Sequence, residues 1–245
     1  MNVLPTLLAA AGLASVHVFS QRLRILDGVP RSWFLSVAGG MAVAFVVLRL
    51  LPALGQGQET LSRTVDGTPF SFLQSHVYLA VLFSMIVFYG ADGLAMESKE
   101  ENQQEGEGES TGVPVFWLNL SVFATMNALI GYLLLHNQER SLQALVLFFI
   151  AMTLKFIVND HALHSKHQEK YDNLGRWLLA GAVFLGWEIR YLSQFPEYVP
   201  IILQALLAGA VSLNVLREEL PPERKSRYWA FGAGAIVYSA LLLAF

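Results

Sequence analysis

Four potential metal ligands stand within eight residues of one another, two thirds of the way along the chain. They are Asp160, His161, His164 and His167. On a helix, residues three or four positions apart share a face, and neutral imidazole and carboxylate are ligands that zinc accepts. The spacing therefore predicts a peripheral divalent-metal site. The alternative is a hydrophilic helix end, because the positive charges of the neighbouring Lys166 and Lys170 oppose cation binding.

The composition places these residues in a membrane protein. Of 245 residues, 54% are hydrophobic and 14% are charged, against about 25% charged in a typical soluble domain. Crossing the hydrocarbon core takes about 20 helical residues, and eight apolar stretches approach that length. These spans 1 to 8 cover residues 2–19, 32–54, 70–95, 114–136, 141–158, 174–195, 197–216 and 228–245. We therefore expect an all-α, eight-span membrane protein, with residues 1–245 forming one transmembrane domain.

The charges of the connections predict its orientation. Eleven lysines and arginines lie in the odd-numbered connections or near the span ends that adjoin them, and three lie in or near the even-numbered ones. Cytoplasmic loops carry the excess of positive charge, so both termini are expected outside, in a plasma or bacterial inner membrane. The acidic segment 97–112 has little apolar surface to bury and is interpreted as a flexible cytoplasmic loop between spans 3 and 4.

Spans 2 and 7 share a sequence pattern. Residues 38–54 and 207–223 each contain Ala-Gly, then Val-Leu-Arg, then leucine and proline, with spacings that differ by one or two residues. Spans five apart run in opposite directions, as in the inverted repeats of transporters. The chain then divides into three, two and three spans.

On these features the chain resembles the ZIP family of divalent metal transporters. The resemblance is strongest in RLLPAL at 49–54 and in NVLREELPPE at 214–223. It implies a 3+2+3 bundle with an inverted repeat, both termini outside, and transport of zinc or another divalent cation as substrate. No resident cofactor is expected.

The resemblance also implies a solute path through spans 4 and 5, where the family carries its metal ligands. In span 4, MNALIG at 126–131 keeps Asn127 and Gly131, whereas Met126 and Ile130 replace a histidine and an aspartate. In span 5, LKFIVN at 154–159 keeps the lysine of one family variant and lacks the other ligands. The path candidates are Met126, Asn127, Gly131, Lys155 and Asn159.

Lys155 has two interpretations of its own. It stands near the predicted cytoplasmic end of span 5, and its long side chain can reach the surface from there. Alternatively, it points into the bundle and pairs with a carboxylate such as Asp92 or Glu188.

These observations leave three hypotheses for function. The first is a ZIP-like transporter, with a divalent metal as the family default; the others are a transporter of a non-metal solute and a non-transporting scaffold or regulatory subunit. We expect no enzyme, because the chain has no cysteine and no HExxH or GxSxG motif, and no nucleic-acid partner, because no basic patch is present. The lipid bilayer is the expected partner, and a homodimer is left open.

Overall fold

The computed structural model describes residues 3–19, 33–105, 111–167, 170–193, 195–219 and 227–244, and these residues contain helices and no strand. The α-helices are α1 Leu4–Val18, α2 Trp33–Phe45, α3 Leu51–Thr64, α4 Tyr78–Glu105, α5 Val113–Arg140, α6 Leu142–His167, α7 Arg176–Leu192, α8 Tyr198–Glu219 and α9 Tyr228–Ala244. A π-helical turn, Val46–Leu50, joins α2 to α3, and a second one, Tyr171–Gly175, leads into α7.

Five helical segments are long and apolar enough to cross a membrane. They are Trp33–Thr64, Tyr78–Glu105, Val113–Asn137, Leu142–Ser165 and Tyr198–Arg217. The helices α1 and α9 are apolar but shorter. The all-helical, membrane-type fold that the composition predicts is therefore confirmed in this coarser form.

Several predicted span boundaries differ from the ends of the helices, including the start of span 3 and the end of span 5. Span 3 was expected from residue 70, but α4 begins at Tyr78, because a turn with Gly67 at φ 71° and Pro69 precedes it. Proline is not suited to a helix interior, and a positive φ favours glycine. Span 5 was expected to end at residue 158, whereas α6 continues to His167.

The helices pack as two groups. The first, called the α5 group, contains α1, α5, α6 and α7, and the second, called the α8 group, contains α2, α3, α4, α8 and α9. Within them the most extensive packing joins α5 to α7, α2 to α9 and α4 to α8. The boundary between the groups is formed by contacts of α2 with α6, of α4 with α5 and of α5 with α8.

Reciprocal glycines bring α5 and α7 into close contact. A Cβ atom added at Gly131 would lie 2.0 Å from the carbonyl oxygen of Val183, and one added at Gly186 would lie 1.8 Å from that of Ala128. Small residues allow helix backbones to approach closely, which is a main source of helix association in membranes. Gly131, a predicted path residue, therefore serves the packing of α5 on α7.

Close glycine contacts also join the helices of the α8 group. A Cβ at Gly40 of α2 would lie 1.9 Å from the Phe231 carbonyl oxygen, and one at Gly234 of α9 would lie 2.1 Å from that of Val37. In α8, a Cβ at Gly209 would lie 2.2 Å from a carbonyl oxygen of α4. Each group is thus held by direct backbone contact between its helices.

We predict that Gly131→Ala and Gly186→Ala each destabilise the protein by about 1–3 kcal/mol, the usual cost of overpacking. Gly181→Ala is the matched control on α7, since a Cβ there would meet no atom within 4 Å. Thermal unfolding in detergent should show lower melting temperatures for the first two variants only. Equal melting temperatures for all three variants would contradict the close α5–α7 contact.

Candidate functional site

A buried carboxylate and a buried imidazole connect α6 to α1. Asp160 Oδ1 lies 2.7 Å from His17 Nδ1, and each side chain is 1% exposed. The other ring nitrogen, Nε2, lies 2.8 Å from Asn127 Nδ2, an amide that also donates to the carbonyl oxygen of Leu179 at 3.3 Å. A ring that accepts at Nε2 from the Asn127 amide and donates from Nδ1 to Asp160 satisfies both contacts. We call this the His17 network.

The His17 network joins four helices and leaves one oxygen unsatisfied. Its members come from α1, α5, α6 and, through Leu179, α7, so it belongs wholly to the α5 group. Asp160 Oδ2 is buried and has no hydrogen-bond partner among the described residues. Asn127, a predicted path residue, is 1% exposed and is used here as a bridge between helices.

Lys155 is buried beside this network. It is 3% exposed, and its Nζ donates to Met126 Sδ at 2.8 Å, a weak acceptor. The negative charge of Asp160 acts on it from nearby. The interpretation that Lys155 reaches the surface is wrong, because α6 extends well past the predicted end of span 5. Asp92 is not its partner either, since that carboxylate forms an ion pair with Arg217.

Asn159 lines a small gap between the two groups. It is 4% exposed and, with Lys155 and Asn214, borders a cavity of about 10 Å³ between α2, α6 and α8. Such a volume holds at most about one water molecule. The predicted path residues Met126, Asn127, Lys155 and Asn159 thus lie close to one another and are buried. Met126 also borders an apolar cavity of about 140 Å³ between α4, α5 and α8, and no open channel runs along the four residues in the part of the chain described.

The predicted metal ligands are directed to separate partners. Asp160 faces His17, and His164 Nδ1 lies 3.0 Å from Asp172 Oδ1, a carboxylate of the second π-helical turn. His161 is half-buried on α6. Among the described residues, no three His, Asp or Glu side chains are grouped so that they could hold a metal ion. The peripheral metal site therefore finds no geometric support here.

His167 anchors the end of the acidic segment. Its Nδ1 lies 2.7 Å from Thr111 Oγ1 and its Nε2 lies 3.3 Å from Asn119 Oδ1, while the Asn119 amide donates to the Ala91 carbonyl oxygen at 3.0 Å. Thr111 is fully buried. The expected flexible loop 97–112 is helical as far as Glu105 and is held in place again at Thr111; residues 106–110 lie outside the described residues.

Sequence reasoning missed the largest polar cavity, which we call the vestibule. It has a volume of about 370 Å³ and lies between α3 and α8 of one group and α5 and α7 of the other. Its polar lining consists of Gln56, Thr60, His136, Glu139, Arg190, Glu197 and Gln204. It is the polar opening at the boundary between the two groups.

Charges in the vestibule are partly paired. Arg190 Nη2 donates to both oxygens of Glu139, at 2.7 and 2.9 Å, and the guanidinium lies 5.7 Å from the ring centroid of Tyr132. Glu197 is exposed at the rim and has no ion-pair partner among the described residues. Gln204 is 5% exposed, lines the cavity and makes no hydrogen bond to a described residue.

The signal for the vestibule lies in α3, residues 51–64, which begins inside predicted span 2 and continues past its end at residue 54. Ala53, Gln56, Gly57 and Thr60 are spaced so that they share one face of α3, and all four line the cavity. Because span 2 was taken to end at residue 54, this polar face was not considered part of a helix. For the His17 network, the available signal was His17 itself. A polar residue inside an apolar span is a functional candidate by default.

Comparison of the chain with protein-family models, with curated proteins and with solved structures finds no match. The geometry of the described residues is therefore the basis for assigning function.

We predict that Asp160→Ala lowers the free energy of unfolding by about 3 kcal/mol, since breaking a buried pair leaves its partner unsatisfied. The His17→Ala and Asp160→Ala effects should be strongly non-additive in a double-mutant cycle. Glu59→Ala is the matched control, because Glu59 pairs with Arg63 at 72% exposure and exposed pairs contribute little. Equal losses for Asp160→Ala and Glu59→Ala in denaturant titrations would contradict the role of the His17 network.

Proposed function

We propose that this protein is a ZIP-like multi-pass membrane transporter that moves a small polar solute along the boundary between the α5 and α8 groups. The observation that carries the proposal is the position of the vestibule, whose walls come from both groups. Sliding or hinging of one rigid group against another is a common way to open and close such a cavity. A polar cavity at that boundary would change its access when the groups move.

The pairing of helices supports an eight-span, 3+2+3 arrangement. In an inverted repeat of spans 1–3 and 6–8, span 2 corresponds to span 7 and span 3 to span 8. A contact between spans 2 and 8 should then be mirrored by one between spans 7 and 3. The structure has both, as the packing of α2 on α9 and of α8 on α4.

The arginines of the repeated pattern support the same arrangement. Arg217 of α8 stacks on Tyr89 of α4, 4.5 Å from its ring centroid, and Arg49 acts electrostatically on Tyr238 of α9. Each repeat thus has its Val-Leu-Arg arginine within electrostatic range of a tyrosine of the corresponding partner helix. The π-helical turn Val46–Leu50 contains Arg49, and because a π turn holds more residues than an α turn, it accommodates the longer spacing in span 2.

The orientation follows from the charges of the connections. With both termini outside, the ends of α5 and α7 that line the vestibule face outward, in a plasma or bacterial inner membrane. The vestibule would then be the outer entrance. The apolar packing that surrounds Lys155 and Asn159 would close the inner half in this conformation.

The side chains that line the vestibule favour a non-metal solute over the divalent cation that the ZIP resemblance implies. No three potential ligands are grouped for a metal among the described residues. A polar organic solute needs hydrogen-bonding side chains instead, and the vestibule supplies them.

A non-transporting scaffold is the second candidate. The tight packing of Asn127 and Lys155, each at most 3% exposed, favours it. The two candidates differ in motion: a transporter must expose the boundary of the groups to water in another conformation, and a static scaffold does not.

We predict that Val211→Cys becomes labelled by a small water-soluble maleimide in reconstituted vesicles. Val211 of α8 is fully buried and lies at the boundary, beside the small cavity, and the chain has no cysteine of its own. Val183→Cys is the matched control, because Val183 is equally buried inside the α5 group. Labelling should proceed at Val211→Cys at least about tenfold faster than at Val183→Cys.

Equal, negligible labelling at both positions over hours would contradict transport and favour the scaffold. Mass spectrometry of the intact protein measures the labelled fraction directly. Detergent-solubilised, heat-unfolded samples of each variant confirm that both cysteines react when they are exposed.

A further inference from the structure

We propose that the vestibule binds a small organic cation: a primary alkylammonium ion with a hydrogen-bonding group at its other end. This inference rests on the proposed function in so far as it takes the vestibule as the solute entrance. It goes beyond that function by naming the class of solute.

The charge balance of the vestibule favours a cation. The positive charge of Arg190 is matched by the bidentate contact with Glu139. That leaves the Glu197 carboxylate at the rim, which has no ion-pair partner in the described part of the chain. The two carboxylates and one guanidinium carry a formal charge of minus one, with the His136 imidazole, 3.9 Å from Glu139 Oε2, counted as neutral. An ammonium ion therefore neutralises the cavity and an anion does not.

The rim offers an aromatic face as well. Phe195 lines the cavity and is 42% exposed, and its ring centroid lies 5.8 Å from that of Tyr132. Ammonium ions are attracted to the faces of aromatic rings within about 6 Å. A cation held by Glu197 therefore has a second favourable contact nearby.

The polar side chains of α3 and α8 that line the vestibule favour a solute with a hydrogen-bonding group. Gln204 is 95% buried, lines the cavity and makes no hydrogen bond to a described residue. Its amide is therefore open to water or to a solute in the cavity. Gln56 and Thr60, one turn apart on α3, present further donors and acceptors to the same cavity. A hydroxyl or amide at the far end of the solute would pair with these groups.

The cavity size separates this solute from a metal ion. A volume of about 370 Å³ lies in the range of small-molecule sites, and a single divalent ion would fill little of it. A bare metal ion also needs several ligands at one point, whereas the carboxylates here are spread over α5 and the start of α8.

The test uses the full chain in lipid nanodiscs and a matched set of ligands measured by isothermal titration calorimetry. Aminobutanol, butanediol and hydroxybutyrate share a four-carbon chain with a hydroxyl at one end and differ in the charge at the other. Aminobutanol should bind about tenfold more tightly than the other two. Butanediol has a neutral hydroxyl in place of the ammonium group, and hydroxybutyrate has a carboxylate of the opposite charge. Zinc ions, titrated in the same way, should bind more weakly than aminobutanol.

Two variants locate the binding. Glu197→Gln should remove the preference for aminobutanol over butanediol, and Gln204→Ala should weaken both ligands. Glu59→Gln is the matched control, because this exposed carboxylate of α3 does not line the vestibule; its affinities should equal those of the unaltered chain.

Absence of aminobutanol binding, tighter binding of hydroxybutyrate or zinc, or equal effects of Glu197→Gln and Glu59→Gln would each overturn the proposal. Such a result does not decide whether the chain transports, since labelling at Val211→Cys is measured without any ligand. Conversely, aminobutanol bound by a protein that leaves Val211→Cys unlabelled would identify a binding scaffold.

Discussion

A carboxylate buried among apolar helices must find its partner inside the protein, because its apolar surroundings provide none. Asp160 finds it in His17, and His17 in turn accepts from Asn127. This chain of hydrogen bonds ties α6, α1 and α5 together, and the Asn127 contact with Leu179 adds α7. These contacts favour the association of the four helices, since a helix that left the group would leave a buried polar group unsatisfied.

Close glycine packing completes the division into two groups. The approaches at Gly131 and Gly186 lie within the α5 group, and those at Gly40, Gly234 and Gly209 lie within the α8 group. Each group therefore has backbone contacts that resist separation. The vestibule and the small cavity beside Lys155 both lie where helices of different groups meet. Direct contacts also cross the boundary, such as the hydrogen bond from the Tyr238 hydroxyl to the Leu147 carbonyl oxygen at 3.1 Å. Relative motion of the two groups would have to break these contacts.

Much of the fold was predictable from apolar runs, because helices in lipid need long unbroken hydrophobic stretches. The positions of α2, α5 and α8 follow from such runs. Helix ends were not predictable in the same way: α6 continues through polar residues because His164 and His167 find partners in Asp172 and Thr111, which are distant in the sequence or lie beyond the helix. The burial of Lys155 depends on that extension of α6.

The candidate site was harder to predict than the fold. Asn127 was recognised as a polar residue within a span, but its partner His17 lies 110 positions away and only packing brings them together. The vestibule combines single polar residues from four helices, each unremarkable in its own segment. Its most informative member, Gln204, stands out only because its surroundings leave its amide without a partner in the described structure.

The most direct measurement of the central claim is the distance between the two groups at the vestibule. The chain has no cysteine, so Arg63→Cys at the end of α3 and Leu192→Cys at the end of α7, both exposed, can be spin-labelled without altering native thiols. Pulsed electron paramagnetic resonance in nanodiscs should show two distance populations, whose ratio changes when aminobutanol is added. A single narrow population that no solute alters would contradict the account and leave a static scaffold.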